Sequence, residues 1–519
     1  MADSWPTSDP SGPLPASSGA ASSGSADSGP TDSGPEASGP ASPGVDLHLD
    51  LAAAPGSGGR RAALERALRD AVQGGRLAPA ARLPSTRRLA EQLGLSRGTV
   101  KAAYDQLIAE GYLTARQGSG TVVAERPGAP SPARPPASGA QPPPRHDLRP
   151  GSPDVTSFPA AAWLRATRRA LAAAPSATFD YGDPRGTLQL RTALAGYLGR
   201  ARGVVADPER IVVTSGYVQG LALLVAVAAR VVAMEDPGLP FHREVVRRNG
   251  GQVVALPTDG RGARTGLLGG AVDAGAVVVT PAHQYPTGVT LHPSRRHALA
   301  AWARSGGGLV IEDDYDGEFR YDRQPVGALQ GMAPDHVVYL GTASKTLGPA
   351  LRLGWMVLPP RLVGPVAEAK LYGDFHTGAI GQLALAELIG DHGYDRHVRA
   401  VRLRYRRRRD LLVSRLAGRY APSGIAAGLH ALVRLDPRGP DEAEVRRRAA
   451  RAGLALGTLG DHWHTPAGGG VQDGPQDAAL DGTAESAPDR PQGLIIGYGT
   501  PGEGGYPAAL DALVRVLRD

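Results

Sequence analysis

The chain has 519 residues, 57 lysines and arginines against 50 acids, and no cysteine. That length implies two to four units rather than one core. The missing cysteine excludes a disulfide framework, a thiolate zinc site, an iron–sulfur cluster and a cysteine nucleophile. The longest apolar stretch, residues 221–232, is interrupted by Arg230 and is too short for a bilayer span. The first 43 residues carry no Lys or Arg and no apolar run, unlike a signal peptide. A cytoplasmic protein with no membrane partner is expected.

Residues 1–45 read as a disordered tail, because 33 of the first 43 are Ser, Gly, Pro or Ala and cannot bury enough apolar area to offset their ordering entropy. Residues 1–59 hold seven acids and no Lys or Arg, whereas residues 60–126 hold twelve Lys or Arg and six acids. A basic module beside an acidic tail attracts polyanions, although a solvated basic surface is the commoner meaning.

Residues 46–125 form the small unit. Leu64, Leu68 and Val72 recur at helical spacing. Ser85 caps a second helix that Gly94 ends, and Ser96 caps a third with Val100, Tyr104, Leu107 and Ile108 inward. Tyr112-Leu-Thr-Ala-Arg and Thr121-Val-Val-Ala then read as a hairpin wing around Gln117-Gly-Ser-Gly. Two capped helices and a wing make a winged helix-turn-helix. Its last helix would lie in the major groove of double-stranded DNA, with Arg97 and Thr99 beyond the Ser96 cap at base edges. Arg87, Lys101 and Tyr104 are placed for phosphates, and the Gly118 to Gly120 tip lets backbone approach the minor-groove edge. The run Leu83-Pro-Ser-Thr-Arg-Arg-Leu-Ala, Leu95-Ser-Arg-Gly-Thr-Val and Tyr104-x-x-Leu-x-x-Glu-Gly-Tyr-Leu resembles the GntR-type bacterial regulators.

Residues 126–150, with Pro142, Pro143 and Pro144, are expected to be a semi-stiff linker. Residues 151–519 alternate buried-type strands with helices, which predicts an α/β unit with a mostly parallel sheet and sites at strand C-termini. Ile211-Val-Val-Thr leads through Ser215 and Gly216 into a helix at Tyr217, an anion site on its N-terminus. Leu309-Val-Ile-Glu-Asp-Asp ends on Asp313. Val337-Val-Tyr-Leu-Gly-Thr-Ala-Ser leads to Lys345, one of three lysines among 54 arginines. Lysine forms a Schiff base with an aldehyde and arginine does not. Pyridoxal 5'-phosphate (PLP) needs an amine, a carboxylate for its pyridine nitrogen, phosphate donors and a contact near its phenolic oxygen. Lys345, Asp313, the set Thr342, Ser344 and Arg352 with Gly216, and Tyr315 meet those needs in turn.

The acidic run at 312–318 lacks the alternating spacing of a calcium loop, and a plain solvated loop is its other bland reading. His462 and His464 border a low-complexity insertion, 461–492, and are expected to be exposed rather than metal ligands; no metal is expected.

Tyr181-Gly-Asp-Pro-Arg-Gly, Thr280-Pro-Ala-His-Gln-Tyr-Pro-Thr-Gly, Glu312-Asp-Asp-Tyr-Asp and Ser344-Lys345 with Arg352 resemble the fold-type I aminotransferases from end to end. The resemblance implies a large parallel-sheet domain and a small C-terminal α/β domain. It implies a lysine carrying PLP, an aspartate at the pyridinium, and Tyr181 reaching a phosphate across a homodimer interface. Tyr217 joins the cofactor set, and Tyr285 stands where many members have an asparagine. Leu239 stands where a ring-stacking aromatic is usual, leaving Phe241 or His242 as substitutes. Ile495 stands where the family's carboxylate-gripping arginine is usual. Winged helix, proline linker and this domain together resemble the MocR-type subfamily of GntR regulators. That implies a regulator sensing PLP, or an amine or amino acid joined to it, in a branch that controls PLP synthesis or salvage. The rivals are a working aminotransferase with a DNA-binding appendage and a cofactor-free scaffold.

Overall fold

The computed structural model describes residues 59–116, 120–124, 144–306, 308–322, 326–464 and 490–518. The expected tail, most of the linker, Gly118 and the centre of the insertion lie outside them. The chain divides into two compact units, residues 1–140 and 141–519.

The small unit contains α1 (Arg60–Gln73), α2 (Thr86–Leu93), α3 (Arg97–Ala109), β1 (Leu113–Arg116) and β2 (Gly120–Val123). Its helix ends are set locally. The Ser85 hydroxyl accepts from the Arg88 N–H, and Gly94 turns the chain at φ 61°, a left-handed conformation that favours glycine. The Ser96 hydroxyl accepts from the Thr99 N–H at 3.0 Å. Leu64, Leu68, Val100 and Leu107 are fully buried between the helices, each worth roughly 1.5–3 kcal/mol of transfer free energy. The strands pair antiparallel, Leu113 opposite Val123 and Arg116 opposite Gly120. Tyr104 corrects the expectation of a phosphate contact. It is 2 % exposed and its hydroxyl donates to the Pro84 carbonyl at 3.0 Å, because the helical period turns it toward α1 and α2.

In the large unit, β3 (His146–Asp147) precedes the main sheet: β4 (Ile211–Thr214), β5 (Val231–Asp236), β6 (Gln252–Asp259), β7 (Gly262–Ala263), β8 (Ala276–Val279), β9 (Leu309–Asp313), β10 (Val337–Thr342) and β11 (Gly354–Val357). Their order is β4-β11-β10-β9-β8-β5-β6-β7. The pairs from β10 through β6 are parallel; β11 is antiparallel to both neighbours. Both faces are buried, as near-continuous Val/Ile strands require. Ile211 and Val213 pack into one helical layer and Val212 into the other. A smaller sheet, β12 (His430–Arg434), β15 (Gly493–Gly497) and β14 (Gly457–Thr458), packs with helices Gly393–Leu416 and Tyr506–Arg518.

Two expected boundaries move. The proline-rich stretch ends before residue 146, since β3 pairs in parallel with β13 (Leu454–Ala455) and Leu148 is fully buried. At the insertion, residues 461–464 and 490–492 are folded into the unit. His462 is 7 % exposed, contrary to the expected exposure. Its Nδ1 bonds the Thr458 carbonyl at 2.8 Å and the Arg243 guanidinium donates to its carbonyl at 3.1 Å.

Candidate functional site

The C-terminal ends of β5, β8, β9 and β10 open into a cavity of about 200 Å³, where open parallel sheets expose site residues. Lys345, Asp313, Tyr315, Thr342, Ser344, Tyr217, Tyr285 and His242 all line it. The expected residues from four separate strand ends are therefore brought together.

Lys345 follows β10, and its Nζ donates to the Gly151 carbonyl. Burial pulls its ammonium below the usual lysine range, against the attraction of Asp316 and Asp313. A buried amine with a depressed pKa is a competent nucleophile. Asp313 is the last residue of β9. Burial, then the neighbouring Asp314 and Asp316, push its carboxyl well above the usual range. His242 Nδ1 stands 4.0 Å from it, but burial holds that imidazole neutral, down at about 3. The Tyr217 hydroxyl faces this carboxyl, and burial followed by Asp313 raises it well above the usual phenol range. A buried carboxyl with no ion-paired lysine or arginine among the described residues, beside a phenol, suits a pyridinium nitrogen.

The Tyr217 and His242 rings lie 4.4 Å apart. Of the two substitutes for the missing stacking aromatic, His242 enters the cavity, whereas Phe241 is 57 % exposed. Next to the lining residue Tyr217, but outside the cavity lining itself, Gly216, φ 116°, caps helix Tyr217–Ala228. That φ favours glycine, and a Cβ there would sit 3.2 Å from the Arg352 guanidinium, crowding it away from the helix N-terminus. Arg352 itself takes φ 53° and forms no ion pair with a described residue. Thr342 Oγ1 donates to Ser344 Oγ at 3.1 Å. Hydroxyls, a cation and free helix N–H groups can hold a phosphate. The residues present fit PLP.

The far wall was less legible. Tyr315 donates to the His283 carbonyl at 3.1 Å, and His283 Nδ1 lies 2.9 Å from Asp316. His430 bonds the Pro286 carbonyl at 3.2 Å. Tyr285 reaches His462 at 3.2 Å. This buried histidine and tyrosine array draws on β12 and the base of the insertion. His283, His430 and His462 are far apart in the sequence, so no local pattern points to the array. Tyr181 is outside the cavity, 77 % exposed, with its ring 4.9 Å from Phe375.

On the small unit, Arg97 opens α3 and is exposed. Thr99 shares a 2.8 Å hydroxyl contact with Ser96. Arg87 and Lys101 are exposed, and among the described residues their ion pairs are to Glu91 and Asp105 one turn on. Such pairs are worth about 0.3–0.5 kcal/mol, and a phosphate displaces them readily. Gly120 keeps φ 86° at the start of β2.

Residues 60–123 match the model for bacterial regulatory proteins of the gntR family, and residues 148–451 the model for aminotransferase class I and II. The chain is 36 % identical to the HTH-type pyridoxine biosynthesis transcriptional regulator PdxR of Corynebacterium glutamicum, over 77 % of this chain and 88 % of that one. It is 33 % identical to the probable rhizopine catabolism regulatory protein MocR of Rhizobium meliloti, over 67 % and 75 %. Kynurenine aminotransferase of Pyrococcus horikoshii, solved with PMP, shares the fold with TM-score 0.61 and 24 % identity, over 72 % of this chain and 90 % of that one. No helix among the described residues is long and apolar enough to cross a membrane. A gntR-type winged helix joined to a PLP-type aminotransferase fold, in relatives named as regulators over the same span, places the chain in the MocR-type subfamily of GntR transcriptional regulators.

Proposed function

We propose that the chain is a cytoplasmic, homodimeric regulator whose aminotransferase-like domain senses PLP rather than turning over amino acids. The carrying observation is the pairing of a complete cofactor wall with an apolar carboxylate position. Ile495 is fully buried among Leu432, Leu459 and Trp463. Three candidate replacement arginines are engaged or exposed. Arg185 is held by Asp183 and Glu209 at 2.7 and 2.6 Å. Arg434 ends β12 exposed. Arg243 lines the cavity but is spent on the carbonyls of Gly238, His462 and Trp463.

Transamination needs the substrate carboxylate gripped so that its Cα–H is aligned, usually by a bidentate arginine. PLP itself needs no such grip. When bound, PLP supplies an aldehyde that condenses with an amine. In this reading Lys345 provides that amine and Asp313 the charge at the ring nitrogen. Thr342, Ser344, Gly216 and Arg352 hold the phosphate, His242 and Tyr217 cover the ring, and Tyr315 and Tyr285 border its phenolic edge. Tyr181 serves the phosphate bound by a second subunit. Ser96, Arg97 and Thr99 meet operator base edges, Arg87 and Lys101 phosphates, and Gly118 and Gly120 the wing contact.

PLP can shift DNA binding only by its difference in affinity between two arrangements of the protein. The test is a DNA-binding titration of apo-protein with PLP alone, then with PLP plus amino acids or GABA. A response to PLP alone supports the proposal. A response only after an amine is added overturns it in favour of an amine effector. The rival, a working aminotransferase, rests on the intact lysine and aspartate and requires multiple turnovers between an amino acid and a keto acid.

A further inference from the structure

Helix Gly393–Leu416 carries nine arginines and two aspartates. Its inner face, Tyr394, Val398, Val401, Tyr405 and Leu412, is buried. The one arginine on that face, Arg408, is neutralised by Asp154 at 2.7 Å. Arg404, Arg409 and Arg415 also have acidic partners. Arg399, Arg402, Arg406 and Arg407 do not. All four are exposed, and none forms an ion pair with a described residue. With Leu403, 49 % exposed, they recur at i, i+3, i+4, i+7 and i+8, one face of the helix. Arg399 and Arg406 are about 10 Å apart along the axis, about three phosphate steps of one DNA strand. At the helix N-terminus Asp391 is shared by Arg396 and by Arg169 of helix Ala160–Ala173. That second helix adds Arg165 and Arg168, exposed and without an ion pair to a described residue.

Four to six uncompensated guanidiniums on adjoining helices repel one another unless an anion covers them. We infer that this face of the aminotransferase-like domain is a second DNA-contacting surface, which binds duplex phosphates without reading sequence. The inference rests on the regulator reading, because it takes as occupant the polyanion that the winged helix recruits. The guanidiniums recur at a spacing that matches a phosphate backbone. The winged helix chooses the site, and this face adds affinity and salt sensitivity.

The experiment compares the full-length protein with Arg399→Gln/Arg402→Gln/Arg406→Gln on a long duplex containing the operator, across a salt series. Each lost phosphate contact lowers the slope of log K against log salt by about 0.9. The triple variant should lose about two to three units of slope and at least ten-fold in affinity at physiological salt. Operator-to-random preference should remain. The triple Lys variant should recover most of the slope. Unchanged slope in the Gln variant, while Arg97→Ala still abolishes operator preference, overturns this inference and leaves the regulator reading standing. Loss of the parent's oligomeric state by sedimentation overturns it in favour of a protein interface. If neither variant alters DNA binding, the docking model itself fails.

Discussion

Lys345 and Lys370 are two of the chain's three lysines, and their partners separate their roles. Lys370 Nζ sits 2.8 Å from the Asp374 carboxylate and 3.3 Å from Gln219, so its charge is spent on the fold. Lys345 faces the cavity with a carbonyl and no carboxylate in contact. Borohydride reduction of the PLP-loaded protein should therefore fix the cofactor on the peptide containing Lys345. Lys345→Ala should lose the link, and a labelled Lys370 peptide would refute the assignment. Asp313→Ala should weaken PLP by roughly 2–5 kcal/mol, the cost of removing one partner of a buried charge pair; equilibrium dialysis measures it. His242 makes a pH prediction. Its folded value, about 3, lies below its unfolded value near 6.5, so the unfolded chain binds the extra proton. Its contribution is whole above pH 6.5 and is lost as pH falls toward 3, at up to about 1.4 kcal/mol per pH unit. Glu235, Glu312 and Glu318, each raised to about 7 by burial, work oppositely between about pH 4.5 and 7, so the imidazole's effect is read as a difference between variant and parent. His242→Phe should make the apo-protein gain stability on acidification relative to the parent, in urea melts at pH 7 and 5. A profile parallel to the parent's would mean that the imidazole is protonated in the fold.

The elements show what local chemistry could and could not announce. α1, α2 and α3 were legible because their ends are written in caps: Ser85, Gly94 and Ser96 act within four residues. Ser96→Ala should cost about 1 kcal/mol and lower the small unit's melting temperature, since the Thr99 N–H loses its acceptor. The cofactor wall was legible for a related reason, each residue lying at the end of an apolar strand. Other features depend on partners far away in sequence. β3 is two residues long and exists because β13, some 300 residues later, offers a parallel edge. His462 sits at a low-complexity border, and Arg243 and Tyr285, both far away in sequence, help to pin it inward. Tyr104 fitted both a core period and a phosphate-facing role, and burial decided between them. Beneath the cavity, Arg202 and Asp314 are bonded at 2.7 Å, both 5 % exposed or less. Asp314→Ala would strand the guanidinium and cost roughly 3–5 kcal/mol, read as a large drop in the large unit's melting temperature with the winged helix unaffected.

At the scale of the molecule, two separate cores imply two separable stabilities. The small unit closes around Leu64, Leu68, Val100 and Leu107, and the large unit around its sheet faces and the C-terminal cluster. Every residue that fits PLP belongs to the large unit. A ligand that binds only the folded state stabilises it by RT ln(1 + [L]/Kd), about 2.7 kcal/mol at a hundred-fold excess over Kd. Calorimetry of the full chain should show two transitions, and PLP should move only the one that Asp314→Ala also moves. The Lys345→Ala protein should respond less, since it keeps the ring and phosphate contacts but not the covalent bond. Operator DNA should move the other transition. Sensing requires that the two responses be linked: with operator present, PLP must change the DNA-stabilised transition as well, by the same coupling free energy with which DNA changes PLP affinity. If PLP shifts the large unit alone whether or not operator is present, the cofactor is structural and the effector lies elsewhere. A shift of both transitions that appears only with operator present is the thermodynamic signature of a PLP-sensing regulator.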